Sequence, residues 1–231
     1  MIMIDEEELL AVQKEALDRA KCRGVEIISD GVLDSELYEK APVKVAWVLK
    51  QDREDCQDGS SYADRIRAAA KAGRVQASPT WAPMAYASYA LIHGVSDYWK
   101  IPNANDCATA MLSTAVFEIQ KELGNPSTRD SVVRDGHRVY GDLLARQIRA
   151  ADPDVMIVCL PETLRWVVMR IKSDVLTDKN DGWRWGNCAA FPFGAKLFLW
   201  AWHPAQTQIS QEEYVMSIVK RWREHVADRR V

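Results

Sequence analysis

The sequence contains no C-x-x-C pair. Its five cysteines, Cys22, Cys56, Cys107, Cys159 and Cys188, stand far apart, which argues against a local zinc site and against a disulfide framework. They read as reduced, mostly packing residues. The chain also lacks G-x-G-x-x-G, a P-loop and G-x-S-x-G, so dinucleotide binding, ordinary NTP hydrolysis and serine-esterase chemistry lose their usual signatures. No apolar run approaches the roughly 20 residues that span a bilayer. The opening MIMIDEEELL lacks the basic and apolar regions of a signal peptide. A cytoplasmic protein with no membrane partner is therefore expected. Positive charge is not in excess either: 30 Lys+Arg against 33 Asp+Glu leave a formal net charge of -3. Any contact with nucleic acid must then come from a local patch. His93, His137 and His225 fall on expected helices without metal-ligand spacing, so no metal or other cofactor is expected.

What is present fits one domain over residues 1–231, with residues 1–40 as an N-terminal helical extension. Hydrophobic residues make up 48% of 231, enough for a single sizeable core. Four short apolar runs rich in β-branched and aromatic residues stand out: 43–49 (VKVAWVL), 115–119 (AVFEI), 155–160 (VMIVCL) and 197–202 (LFLWAW). Continuous runs of that length suit strands buried on both faces. The stretches between them carry helical periodicity, which predicts βαβ units in a three-layer α/β/α sandwich with a central, mainly four-stranded parallel sheet. Helices are expected over 5–23, from Ser60 or Ser61 to Ala72, 80–93, 105–112, 130–150, 162–175 and after Ser210. Residues 179–186 (KNDGWRWG) read as a loop. Nine tryptophans are the odd feature of the composition; each fills core or offers a flat surface for stacking.

In an open parallel sheet, ligands bind beyond the carboxyl ends of the strands. Two of the four ends are chemically loaded: Lys50-Gln51-Asp52-Arg53 follows the first run and His203-Pro204-Ala205-Gln206 the fourth. Asp52 is either a general base that holds a water or one more acid of a solvated loop. His203 precedes Pro204, which restricts its backbone to extended conformations. It is either an imidazole held to donate to a developing oxyanion or a histidine satisfied locally.

These two segments resemble the first and last motifs of the uracil-DNA glycosylase superfamily, Gly-Gln-Asp-Pro-Tyr-His and His-Pro-Ser. The matches are Gln51, Asp52, His203 and Pro204, while Lys50, Arg53 and Ala205 differ from the motif; the resemblance is that of a divergent member. It covers the chain from about Pro42 onward, mostly through the order of elements. It implies that Asp52 positions the water attacking the sugar C1′ and that His203 stabilises charge on the departing base, extruded and stacked on an aromatic. Lys50, Gln51, Pro204 and Gln206 would line the substrate site, with Glu118 or Gln120 reading the base edge. Two readings follow: a DNA glycosylase-like enzyme hydrolysing an N-glycosidic bond, or a non-catalytic protein holding a nucleobase or nucleic acid in the same crevice. In the second, Trp47, Trp99 or the Trp183/Trp185 loop would supply the stacking surface. A basic rim from Lys50, Arg53, Arg65, Arg67, Lys71 and Arg74 would favour a DNA partner.

Overall fold

Apolar residues alternate in their facing along each of the four runs, and helices cover both faces of the sheet they form. A computed structural model describes residues 4–53, 61–124, 130–159 and 188–229. Its sheet has six strands: β1 (Gly31–Val32), β2 (Val45–Arg53), β3 (Thr114–Gly124), β4 (Val155–Val158), β5 (Cys188–Phe193) and β6 (Lys196–Ala201), in the order β1-β3-β2-β4-β6-β5. The four expected runs are the inner strands and pair in parallel. The sheet as a whole is mixed, because β1 and β5 add antiparallel edges. This corrects the expectation of a mainly four-stranded parallel sheet.

Both additions are short or irregular in sequence. β1 is two residues long, and β5 carries Pro192, which an edge strand tolerates because one side of its backbone needs no partner. A two-residue turn, Gly194–Ala195, joins β5 to β6, and Gly194 takes the φ of +55° that such hairpins require.

The helices are α1 (Glu6–Arg23), α2 (Ser35–Lys40), α3 (Tyr62–Lys71), α4 (Trp81–His93), α5 (Ala108–Leu112), α6 (Asp130–Ala151) and α7 (Gln211–Asp228). Their ends follow local chemistry. Asp5 accepts from the Glu8 amide, Ser61 forms a reciprocal capping box with Asp64, and Ser210 accepts from the Glu213 amide. The expected helix over 162–175 and the loop over 179–186 lie outside the described residues. The first 40 positions hold β1 and α2 as well as α1.

On one face of the sheet, Val45, Trp47 and Leu49 of β2 join Val116, Ile157 and Leu199 against α3, α4, α5 and α7. On the other, Ala46 and Val48 join Phe117, Ile119 and Val158 against α6. α1 packs outside α6, where Val12 and Ala16 meet Tyr140 and Leu143. Val132, near the start of α6, is 38% exposed. Among the described residues no helix is long and apolar enough to cross a membrane.

This order of strands creates a divergence. β2 leads through α3–α5 to β3 on one side of it, and β3 leads through α6, on the opposite face, to β4 on the other side. The carboxyl ends of β2 and β4 therefore border the crevice where such sheets bind ligands.

Candidate functional site at the carboxyl edge of β2, β4 and β6

Because β2, β4 and β6 run in parallel, the segments after them emerge at one edge of the sheet. The register Val48–Val158–Trp200 is continuous across the three strands, and counting three residues onward sets His203 level with Gln51. One strand intervenes between β2 and β6, so their ends stand about 10 Å apart at ordinary strand spacing. The backbone of Gln51, Asp52 and Arg53 continues β2, with Gln51 paired to Gln120 and a register shift before Arg53. The positions of their side chains lie outside the described part of the structure.

His203 is held closely. Its Nδ1 accepts a hydrogen bond from the Ala205 amide at 3.2 Å, and its carbonyl accepts from the Gln206 amide at 2.9 Å. Burial, reinforced by the positive charge of Lys50, lowers its pKa to about 4. The ring is therefore neutral at physiological pH. With Nδ1 accepting, Nε2 carries the proton and is the donor. The Lys50 charge acting on His203 also joins the carboxyl-terminal part of β2 to the segment after β6 electrostatically.

The loop that carries the histidine is built from its own residues. Pro204 is buried. The Gln206 Oε1 accepts from the amides of Gln208 (2.6 Å) and Ile209 (2.9 Å), and its Nε2 donates to the Ile209 carbonyl (3.0 Å). Its carboxamide is thereby engaged in shaping the turn into α7.

Glu118 and Gln120, the two residues expected near a base edge, differ in surroundings. Glu118 is 1% exposed, and its charge acts on Cys159, at the end of β4. The Gln120 side chain instead lies against α6: a Cβ added at Gly136 would stand 2.4 Å from its Oε1. Its Nε2 donates at 3.4 Å to Glu122. Of the two, Glu118 is the one whose charge reaches Cys159, with β2 between their strands.

Tyr214 of α7, not foreseen in the sequence, belongs to the same edge. It is fully buried, its hydroxyl donates to the Trp202 carbonyl at 3.0 Å, and it hydrogen-bonds the Cys159 thiol. Burial raises the pKa of both groups well above their ordinary values. They act as neutral structural groups that fix the ends of β4 and β6 against α7. A tyrosine inside the apolar periodicity of YVMSIV is the only trace of this in the sequence.

Also unforeseen is a buried polar network behind β3. The Asp30 carboxylate accepts from the Lys121 ammonium (2.9 and 2.7 Å), the Gln147 carboxamide (3.1 Å) and the Glu118 amide (2.7 Å). Lys121 also donates to the Gln147 Oε1 at 2.7 Å. The Lys121 and Asp30 side chains are 1% and 0% exposed. Buried charges of this kind persist only when paired and hydrogen-bonded. The pair pins the strand segment that carries Glu118. Lys121 lies inside β3, beyond the apolar run 115–119.

The aromatic and basic expectations resolve unevenly. Trp47 is core, 0% exposed, and its Nε1 donates to the Ser88 hydroxyl at 3.1 Å; it offers no stacking surface. Trp99 is 80% exposed and Trp202 41%, while Trp183 and Trp185 lie outside the described residues. In the expected basic rim, Arg67 is engaged by Asp34 at 2.9 Å and Asp64 at 3.4 Å. The Arg65 guanidinium sits 5.6 Å from the ring centres of both Tyr62 and Trp81. Among the described residues no group of three or more His, Cys, Asp or Glu side chains is arranged to hold a metal ion. Comparison with protein-family models, curated proteins and solved structures finds no match for the chain.

Proposed function

We propose that the chain is a divergent member of the uracil-DNA glycosylase-like superfamily that hydrolyses the N-glycosidic bond of a nucleobase in the crevice at the carboxyl ends of β2, β4 and β6. On this reading the helices on both faces of the sheet are the outer layers of an α/β/α sandwich. The observation that carries the proposal is the state of His203: a neutral imidazole, fixed by the Ala205 amide so that its Nε2 donates.

Breaking the bond between C1′ and the base nitrogen sends the bonding electron pair into the base. The base leaves more readily if a donor meets the oxygen on which that charge collects. A neutral Nε2–H serves this purpose without first losing a proton. The Lys50 charge, already acting on His203, adds favourable potential for an anionic leaving group. Asp52, in the backbone segment leading out at the same edge, accepts a proton from the water that adds to C1′. The products are the free base and an abasic sugar.

A second reading, a non-catalytic holder of a base in the same crevice, gains support from the charge. The net charge of -3 and the engagement of Arg67 by two carboxylates weaken the field that would hold duplex phosphates. Measuring base release from single-stranded and duplex DNA separates the two. Release that Asp52→Asn abolishes supports the enzyme, whereas binding without release from the parent supports the holder.

A further inference from the structure

We infer that the outer stripe of α1 is a self-association surface, on which two copies of the chain pair antiparallel about a two-fold axis and each seats Leu17 in a hole on the other. The residues of α1 divide by face. Val12, Ala16 and Ala20 are buried. One flank is tied to α6 by charge: Arg146 is held by Glu8 and Glu15, and Arg19 by Asp142, each at 2.6 Å. The other flank carries Leu10 and Leu17, 72% and 42% exposed. Seven residues separate them, so they lie about 10 Å apart along a single stripe of the helix. An apolar pair repeated at seven positions is the pattern of a helix that meets another helix.

Beside Leu10 the surface is hollow. Glu6, Leu9, Leu10 and Gln13 of α1 border a cavity of about 280 Å³ that Val32 and Ser35 close on its far side. On a helix, positions i, i+3, i+4 and i+7 are mutual surface neighbours, and four such residues form the hole that receives one side chain from a facing helix. Leu17 of a second copy supplies that side chain. With two-fold symmetry the same contact forms twice, because each copy offers both the leucine and the hole.

Charge gives the same register independently. Seating Leu17 over the hole of an antiparallel partner opposes Leu10 to Leu17 and, four residues further out on both helices, Glu6 to Lys21. Glu6 stands in the acidic first turn of α1 and Lys21 in its basic last turn. Neither has an ion-pair partner among the described residues of its own chain. A parallel pair would set acid against acid, whereas the antiparallel pair opposes unlike charges and unlike helix ends at both extremities.

Sedimentation velocity of the full chain over a wide range of loading concentration tests this. The contact is short, so a weak dimer that grows with concentration is expected. Leu17→Gln should weaken it about a hundredfold, because a leucine is withdrawn from each of the two holes. The thermal midpoint of the dilute protein should change little, because that side chain is exposed in the single chain. Glu6→Lys and Lys21→Glu should each weaken the dimer roughly tenfold at low salt, and the double variant should restore it, since exchanging the two charges recreates both pairs. A chain that stays monomeric at every concentration, a dimer indifferent to Leu17→Gln, or a double variant no tighter than the single ones would overturn the inference.

Discussion

His203 combines three constraints that rarely coincide on a surface histidine: Pro204 behind it, the Ala205 amide on Nδ1, and a pKa of about 4. Its folded-state pKa is depressed below the ordinary value of 6.5. The neutral form is therefore favoured by folding, and stability from this group is complete above pH 6.5 and falls as pH drops toward 4. Unfolding midpoints measured across that window should decline in the parent and decline less in His203→Ala. For catalysis, His203→Ala should slow base release roughly 10²–10³-fold, the cost of losing one preformed donor. The parent rate should show no inflection near pH 6.5, because the donor does not titrate there. Asp52→Asn should abolish turnover while preserving ligand affinity, since shape is kept and the base removed; single-turnover kinetics beside equilibrium binding check both halves. That His203 and the Asp52 backbone fall at one edge of the sheet was legible in sequence, because each follows an apolar run and parallel strands bring their carboxyl ends together. Tyr214 was not, because a buried tyrosine in a helix has the same periodicity as a leucine.

At the scale of elements, the network of Asp30, Lys121 and Gln147 ties β3 to α6 behind Glu118. Removing one partner leaves a buried charge without its counterpart, which costs about 3–5 kcal/mol. Lys121→Met should therefore lower the urea midpoint sharply, and the double variant Asp30→Asn with Lys121→Met should recover much of the loss. A second contact of the same two elements is Gly136, where an added Cβ would stand 2.8 Å from the Gln120 Cα. Gly136→Ala should destabilise by roughly 1–3 kcal/mol through overpacking, read as a lower midpoint with an unchanged slope. The inner strands were visible as unbroken apolar runs, and the helix starts at Ser61 and Ser210 as capping residues. The continuation of β3 through Gln120, Lys121 and Glu122 was not, because polar residues there are sustained by partners far away in sequence. Asp30 lies 91 positions from Lys121, and no local pattern reports such a pairing. The edge strands escaped for simpler reasons: two residues in β1, and a proline within β5.

For the whole molecule, topology and charge point the same way. The connections out of β2 and out of β3 pass over opposite faces of the sheet, and sheets of this kind bind ligands where the strand order reverses, here between β2 and β4. The net charge of -3 limits what that ligand is, because nothing draws a long phosphate backbone to the surface from a distance. On the proposed function the crevice cleaves the bond between base and sugar. Its most direct measurement is single-turnover release of free base from single-stranded DNA by the parent, Asp52→Asn and His203→Ala proteins, with product separated chromatographically. Release by the parent, none by Asp52→Asn, and a rate reduced roughly 10²–10³-fold in His203→Ala are expected. Absence of release by the parent with every base offered, or release at an undiminished rate by Asp52→Asn, would contradict it.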